Sequence, residues 1–336
     1  MKKKNLALGL SGAIGGVIAW KMLTRPRKIA WDDVSDKVPH AENSHFTEVD
    51  GATVHYQEFG EAHNNPTLIL LHGYTSSTYI WQQVAPVFAE KGFHVLAVDL
   101  LGFGFSDKPS WFDYSIVSQA RMVERLMDRL GIGRATLIGS SYGGAVASSL
   151  ALDYAERVEK LVLVDTVIND DVKNNSILKL AAIPVVGEIL SPFLLDSKTF
   201  LKYRMRNTIA PENHHLITPD RIESVRRPLR AADAHRSVLA TARAWDANRI
   251  EADAHLINQP TLIVWGERDT VTPMRDGEKL HESILNSRFV VFKNCGHVPQ
   301  EEAARGFADV VSDFCRSRLG KFEIKENEQI KFIGEQ

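Results

Sequence analysis

A serine set between glycines is the clearest feature of the chain that could do chemistry. Ser141 lies in Gly139-Ser140-Ser141-Tyr142-Gly143, after an apolar stretch and before a run of small residues. This pattern predicts a tight turn from a strand into a helix, with Ser141 at its tip. A serine hydroxyl is a weak nucleophile at neutral pH, so it needs a histidine to accept its proton and a carboxylate to orient that histidine.

His297 and Asp269 are the predicted partners of Ser141. Each residue follows an apolar segment that predicts a buried strand. Because the carboxyl ends of parallel strands meet at one edge of a sheet, we expect these side chains to lie close together there. Asp165 also follows such a segment and is the alternative acid. Ser141, His297 and one of these two aspartates thus predict acyl transfer by a catalytic triad.

Acyl transfer also requires N–H donors aimed at the developing oxyanion. The backbone N–H of Tyr142, directly after the nucleophile, is one predicted donor. The second is the N–H of Tyr74, in the loop His72-Gly73-Tyr74 that follows another apolar strand. His72 is expected to brace this loop rather than to take part in the chemistry.

The elements that must position these residues alternate along the chain. Two alternating stretches joined by Asp50-Gly51 predict an antiparallel hairpin. Six apolar segments separated by amphipathic helices then predict a mostly parallel sheet with helices on both faces. The eight predicted strands are His45–Val49, Thr53–Phe59, Thr67–Leu71, His94–Asp99, Ala135–Gly139, Leu161–Asp165, Thr261–Trp265 and Phe289–Phe292.

The alternation breaks off between Asp165 and Pro260, where a long stretch with helical periodicity predicts an inserted helical cap. The resulting organisation has five parts. They are an N-terminal anchor or signal (1–30), a polar linker (31–44), a catalytic core (45–165 and 256–319), the cap (166–255) and a peripheral tail (320–336).

The N-terminus has the pattern of a membrane-targeting segment. Lys2, Lys3 and Lys4 precede an uncharged, mostly apolar run from Leu6 to Trp20, and further basic residues follow. We predict an uncleaved anchor that associates the protein with a membrane. Cleavage, which would release a periplasmic or secreted protein, is the alternative. Basic residues on both sides of the run leave the orientation open.

Charge and motif content argue against several other classes. The formal net charge of −2 and the pI near 6.6 provide no basic field for nucleic acid. His214-His215 has no third ligand at metal-site spacing, and Gly102-x-Gly104 lacks the third glycine of a dinucleotide site. We therefore predict no metal, no organic cofactor and no nucleic-acid partner. The oligomeric state is not predicted.

Together these motifs resemble the α/β-hydrolases that carry a helical cap, over about residues 45–319. The resemblance implies the α/β-hydrolase fold and a serine esterase or lipase activity. It rests on His72-Gly73, the stretch Asp99-x-x-Gly102-x-Gly104-x-Ser106-Asp107-Lys108-Pro109, the serine turn, Trp265-Gly266-x-x-Asp269 and Gly296-His297-x-Pro299.

Departures from the family patterns narrow the predicted reaction. Epoxide hydrolases and haloalkane dehalogenases, which the stretches 103–109 and 296–302 resemble, use an aspartate nucleophile where this chain has Ser141. Carbon–carbon bond hydrolases use serine but typically have asparagine before it and tryptophan after the histidine, where Ser140 and Val298 stand here. Ester hydrolysis is therefore the favoured reaction.

The N-terminal segment, the apolar cap and the length resemble membrane-anchored monoacylglycerol lipases, which implies a small-molecule or lipid ester as substrate. Four alternatives stay open: carbon–carbon bond hydrolysis, transfer of the acyl group to an acceptor other than water, perhydrolysis, and ligand binding without turnover.

Overall fold

The computed structural model describes residues 26–171, 179, 182–317 and 328–336. Its centre is a nine-stranded sheet with the order β1-β2-β4-β3-β5-β6-β7-β8-β9. The strands are β1 Ser44–Val49, β2 Ala52–Phe59, β3 Thr67–Leu71, β4 His94–Val98, β5 Ala135–Ser140, β6 Val158–Val164, β7 Thr261–Gly266, β8 Ser287–Phe292 and β9 Ile330–Glu335.

Strands β3 to β8 run parallel to their neighbours, and β1, β2 and β9 are antiparallel at the two sides. Strands β3, β4, β5 and β7 are buried almost throughout, as expected for parallel strands with helices on both faces. The carboxyl ends of β3, β5, β6, β7 and β8 therefore share one edge, to which the predicted site residues belong.

The sheet has one strand more than the eight that the sequence predicts. The additional strand, β9, pairs with β8 and lies in the segment interpreted as a peripheral tail. Only Ile330 is fully buried in β9, and lysine and glutamate alternate with its apolar residues. Its hydrophobic pattern is too short to distinguish an edge strand from an exposed tail.

Helices cover both faces of the sheet. Helices α1 and α11 pack on one face through Phe88, Phe307 and Phe314, and helices α2, α3 and α9 pack on the other. The core helices are α1 Ala85–Glu90, α2 Ile116–Arg129, α3 Tyr142–Asp153, α9 Met274–Ser283, the short α10 Pro299–Glu302, and α11 Ala304–Arg316.

Between β6 and β7, in the segment predicted as the cap, the described residues form five further helices. They are α4 Val186–Leu194, α5 Lys198–Thr208, α6 Pro219–Leu229, α7 Ala232–Arg243 and α8 Asn248–Asp253. Three hydrogen bonds tie α7 to loops of the core: the Tyr74 hydroxyl donates to Val238 O at 2.7 Å, the Ser237 hydroxyl donates to Gly102 O at 2.6 Å, and Arg236 Nη2 donates to Lys108 O at 2.5 Å. The cap is thus fixed above the carboxyl edge of the sheet.

The chain before β1 also contacts the cap. Pro26 O and Arg27 O accept hydrogen bonds from the first N–H groups of α7, at 2.9 and 3.2 Å. No helix within the described residues is long and apolar enough to cross a membrane. The apolar run of the predicted anchor lies in residues 1–25, outside the described residues.

Candidate active site

Ser141 lies at the tip of the turn between β5 and α3. Its φ of 55° and ψ of −116° are a strained conformation for a residue other than glycine. The Ser141 N–H donates to Val164 O at 2.8 Å, which ties the turn to β6. The turn therefore holds the Ser141 side chain away from the sheet, where it contributes to the wall of a cavity.

The glycines on both sides of Ser141 are required by close approaches of the backbone. A Cβ atom on Gly139 would lie 2.3 Å from Gly143 O, and one on Gly143 would lie 2.2 Å from Leu71 O. Neither contact is sterically allowed. The Gly-x-Ser-x-Gly spacing is thus the spacing that this turn needs.

His297 and Asp269 form the hydrogen-bonded pair that the sequence predicts. The distance from His297 Nδ1 to Asp269 Oδ2 is 2.8 Å, and the Asp269 side chain is fully buried. Burial alone would raise the pKa of Asp269, but attraction to His297 and hydrogen bonds from His297, Thr272 and Val271 lower it below its usual value. Asp269 is therefore held as a carboxylate beside the histidine.

Asp165, the alternative acid, lies next to this pair but forms no hydrogen bond with His297. Its Oδ1 accepts the Gly266 N–H at 2.8 Å, and its Oδ2 has no hydrogen-bond partner among the described residues. Burial and the neighbouring Asp269 carboxylate raise the pKa of Asp165 well above its usual value. Its environment favours a neutral acid, in contrast to that of Asp269.

One atom each of Asp165, Asp269 and His297 lies within 4.8 Å of the others, close enough to consider a metal ion. The two atoms of the group that face each other, His297 Nδ1 and Asp269 Oδ2, are already joined by a hydrogen bond. Asp269 Oδ2 accepts from His297 and, at 2.6 Å, from the Thr272 hydroxyl. The arrangement fits a histidine oriented by a carboxylate better than a metal centre.

The two residues predicted to supply oxyanion donors lie on the turn of Ser141 and on the loop beside it. Tyr142 is the first residue of α3, directly after Ser141, and a Cβ atom on Gly73 would lie 3.2 Å from Ser141 Cβ. The loop that carries Tyr74 thus passes close to the serine. Within the described chain, neither the Tyr74 N–H nor the Tyr142 N–H donates to another group. Both are available to a ligand.

His72 braces the same loop. Its Nδ1–H donates to Gly73 O at 2.8 Å, and its Nε2 accepts the Leu100 N–H at 3.1 Å. Burial lowers the pKa of His72, although the nearby Asp99 acts in the opposite direction. A neutral His72 therefore connects the loop after β3 with the loop after β4.

A cavity of about 890 Å³ lies between the cap and the core, with Ser141 and His297 in its wall. Its volume is in the range of pockets that enclose small organic ligands. Much of the wall is apolar and comes from the cap, including Leu190, Leu194, Phe200, Val225, Leu239 and Trp245.

Three polar residues of the site were not identified from the sequence. Thr272 donates to Asp269, Thr75 has a φ of 59° in the loop after Tyr74, and Arg204 of α5 contacts Thr75 inside the cavity. The first could have been suspected from its position three residues after Asp269. Arg204 gave no signal, because Lys202 and Arg206 beside it suggest an ordinary solvated helix face.

The model of the family described as "alpha/beta hydrolase fold" matches residues 66–304, which are most of the chain and include Ser141, Asp269 and His297. The chain belongs to the α/β-hydrolase fold family. This agrees with the fold predicted from the sequence and makes the chain a hydrolase by family. The family as a whole does not define which bond is cleaved.

Two curated relatives span most of this α/β-hydrolase. The 2-hydroxy-6-oxo-6-phenylhexa-2,4-dienoate hydrolase of Comamonas testosteroni is 30% identical over 275 residues, which are 79% of this chain and 92% of the relative. The uncharacterized hydrolase YugF of Bacillus subtilis is 28% identical over 275 residues, which are 80% of this chain and 96% of the relative.

Solved structures agree on the fold. The enol-lactonase from Burkholderia xenovorans superposes with a TM-score of 0.69 at 24% identity, covering 81% of this chain and all of that one. At this identity the likeness concerns the fold alone. The relatives thus include carbon–carbon bond hydrolases, and they leave the ester specificity predicted from the sequence to be tested.

Proposed function

We propose that this α/β-hydrolase cleaves carboxylic esters through an acyl-enzyme formed on Ser141. The observation that carries the proposal is the buried hydrogen bond between His297 Nδ1 and Asp269 Oδ2, in a cavity that Ser141 also lines. This bond fixes the tautomer of His297, so its Nε2 is free to accept a proton.

In the proposed cycle, the Ser141 oxygen attacks the ester carbonyl while His297 takes the hydroxyl proton. The N–H groups of Tyr74 and Tyr142 stabilise the negative charge on the carbonyl oxygen. Collapse of this intermediate expels the alcohol, which receives the proton from His297. A water molecule then attacks the acyl-enzyme, again with His297 as base, and releases the acid and Ser141.

Carbon–carbon bond hydrolysis is the second candidate function, because the Comamonas testosteroni relative is named for it. The same triad would serve both reactions, so the triad does not discriminate between them. Ser140 and Val298 occupy the positions where asparagine and tryptophan are typical of those enzymes. We therefore place ester hydrolysis first.

A screen of p-nitrophenyl and glyceryl esters, from acetate to palmitate, tests this proposal. We expect turnover, with kcat/KM rising up to about fourfold per added CH₂ group until the apolar cavity is filled. The control is Ser141→Ala, measured under the same conditions. Cleavage of a 2-hydroxy-6-oxodienoate without cleavage of any ester would assign the chain to carbon–carbon bond hydrolysis instead.

We also propose that the predicted anchor, residues 1–30, attaches the protein to a membrane through its apolar run, which would bring the cavity close to lipid esters such as monoacylglycerols. The apolar run from Leu6 to Trp20 and the apolar cap residues of the cavity support this. Cleavage of the segment, with release into the periplasm or the medium, remains the alternative.

Deletion of residues 1–25 is expected to move the protein from the membrane fraction to the soluble fraction. Because the deletion ends before the contacts of Pro26 and Arg27 with the cap, we expect turnover of a short-chain ester to change less than about threefold. Fractionation of expressing cells, with immunoblotting for both forms, measures the change. A full-length protein that is soluble and starts at its first residue would refute the anchor.

A further inference from the structure

A positively charged side chain lines the cavity without an opposite charge. Arg204 lies in α5, is half-buried, and donates through Nη2 to the Thr75 hydroxyl at 2.9 Å. No ion pair joins it to a carboxylate of the described chain. In the stretch 172–181, most of which the structure does not describe, the sequence has no Asp or Glu.

Arg221, a buried arginine of the cavity wall, forms an ion pair with a carboxylate. Arg221 Nη2 lies 2.7 Å from Glu301 Oε1, and both side chains are almost completely buried. Arg268 similarly lies 3.0 Å from Glu212 at the surface. Arg206 lines the cavity and is exposed, so water screens its charge. Asp171, the other carboxylate of the wall, is exposed and lies 3.4 Å from Arg275 Nη2. Each described carboxylate of the cavity wall is thus paired with another arginine, and none forms an ion pair with the half-buried Arg204.

A half-buried cation without an ion-pair partner destabilises the folded protein, because removing a charge from water is unfavourable unless an opposite charge replaces the water. Burial lowers the pKa of Arg204, and only Tyr74 acts in the opposite direction. A guanidinium stays protonated in proteins all the same. Of its five N–H donors, one bond to Thr75 is accounted for, and the other donors are available to a ligand.

Arg204 is connected through Thr75 to the loop that carries the proposed oxyanion donor. Thr75 directly follows Tyr74, whose N–H is a proposed oxyanion donor, and the Thr75 hydroxyl donates to Tyr74 O at 2.7 Å. About one turn further along α5, at its carboxyl end, Thr208 O accepts the His297 N–H at 2.7 Å. Helix α5 is therefore fixed at both the oxyanion loop and the histidine loop, so the guanidinium has a defined place relative to both.

We propose that Arg204 binds a carboxylate of the substrate, so that the natural ester carries a carboxylate a few carbon atoms from the carbonyl that Ser141 attacks. This rests on the proposed ester hydrolysis and narrows it to anionic esters, such as monoesters of dicarboxylic acids. A carboxylate matches the planar, bidentate donor pattern of a guanidinium. One guanidinium also balances one negative charge, which favours a carboxylate over a phosphate dianion.

The test compares esters of equal chain length with and without a carboxylate: monomethyl adipate and methyl hexanoate, followed by acid release at constant ionic strength. In Arg204→Gln, we expect KM for monomethyl adipate to rise about 10- to 100-fold, the usual range for a charge-assisted hydrogen bond. For methyl hexanoate, which has no carboxylate, the fall in kcat/KM should be at least about tenfold smaller than for monomethyl adipate. Arg204→Lys should recover part of the affinity, and Lys202→Gln, on the exposed side of α5, should behave as wild type.

A binding measurement separates this inference from the proposed reaction. Ser141→Ala should bind monomethyl adipate in calorimetry, and adding Arg204→Gln should weaken this binding to the same extent as KM rises. If both esters lose the same activity in Arg204→Gln, or if binding does not depend on Arg204, the carboxylate site is refuted. If binding depends on Arg204 but wild type hydrolyses neither ester, the carboxylate site stands and ester hydrolysis is refuted.

Discussion

Ser141→Ala is expected to lower kcat/KM for ester hydrolysis by about 10⁴- to 10⁶-fold, because it removes the atom that forms the acyl-enzyme. KM should change little, since the cavity walls that contact the substrate remain. The turn itself should persist, because alanine lacks only the Oγ atom and the N–H bond to Val164 O is retained. Steady-state kinetics with the best ester of the chain-length screen gives the comparison.

Labelling with a fluorophosphonate checks the same residue without a substrate. We expect wild type to gain one label on Ser141, which mass spectrometry of the peptide would locate. The matched control is Ser140→Ala, at the neighbouring buried serine, whose hydroxyl accepts a hydrogen bond from Gln300 Nε2 at 3.3 Å. Equal labelling of wild type and Ser141→Ala would show that another residue is the nucleophile.

The sequence predicts the arrangement around Ser141 because its determinants are local. Gly139 is needed by a contact within the turn, both glycines belong to one short motif, and the strand and helix that flank it have clear patterns of small and apolar residues, whereas the contact of Gly143 with Leu71 O could not be read from the sequence. Asp269 and His297 follow from one rule, that the carboxyl ends of parallel strands meet at one edge. The structure places both at that edge, within hydrogen-bonding distance of each other.

Features that depend on contacts distant in sequence were not predicted. The charge environment of Arg204 is set by Thr75, which is 129 residues away, and by the lack of a nearby carboxylate in the described chain. Strand β9 is defined by its pairing with β8, since its own pattern is weak. The contrast between Asp165 and Asp269 likewise comes from which donors surround each carboxylate. The sequence favours Asp269 as the acid, but it shows both residues only as acids that follow strands and does not predict their different protonation.

Substituting asparagine for each of these two aspartates should therefore have very different effects on kcat. Asp269→Asn is expected to lower kcat by about 10³- to 10⁴-fold, because the amide can no longer hold His297 in the tautomer that accepts a proton on Nε2. Asp165→Asn should lower kcat less than about tenfold. An asparagine there has the shape of a neutral aspartic acid: its oxygen can accept the Gly266 N–H, and its NH₂ can donate towards Asp269. Steady-state kinetics of both variants with one ester provides the test.

The pH dependence of stability gives an independent check on Asp165. Its pKa is raised in the folded state, so above its unfolded pKa near 3.9 the folded protein binds more protons than the unfolded one. Wild type should therefore lose stability as pH rises through this range, by at most about 1.4 kcal/mol per pH unit from this group. Asp165→Asn lacks this loss. Its free energy of unfolding in urea, relative to wild type, should increase between pH 5 and pH 8.

Asp269 changes the stability with pH in the opposite direction, because its lowered pKa adds stability that is lost on acidification. It is present in both wild type and Asp165→Asn, so its own effect largely cancels in the comparison. The difference in unfolding free energy between wild type and Asp165→Asn therefore reports on the protonation of Asp165 and on its interaction with Asp269. If Asp165→Asn were inactive while Asp269→Asn kept its activity, Asp165 would be the carboxylate that orients His297. If the stability difference did not change with pH, Asp165 would be ionised in the folded protein, with two buried carboxylates beside one histidine.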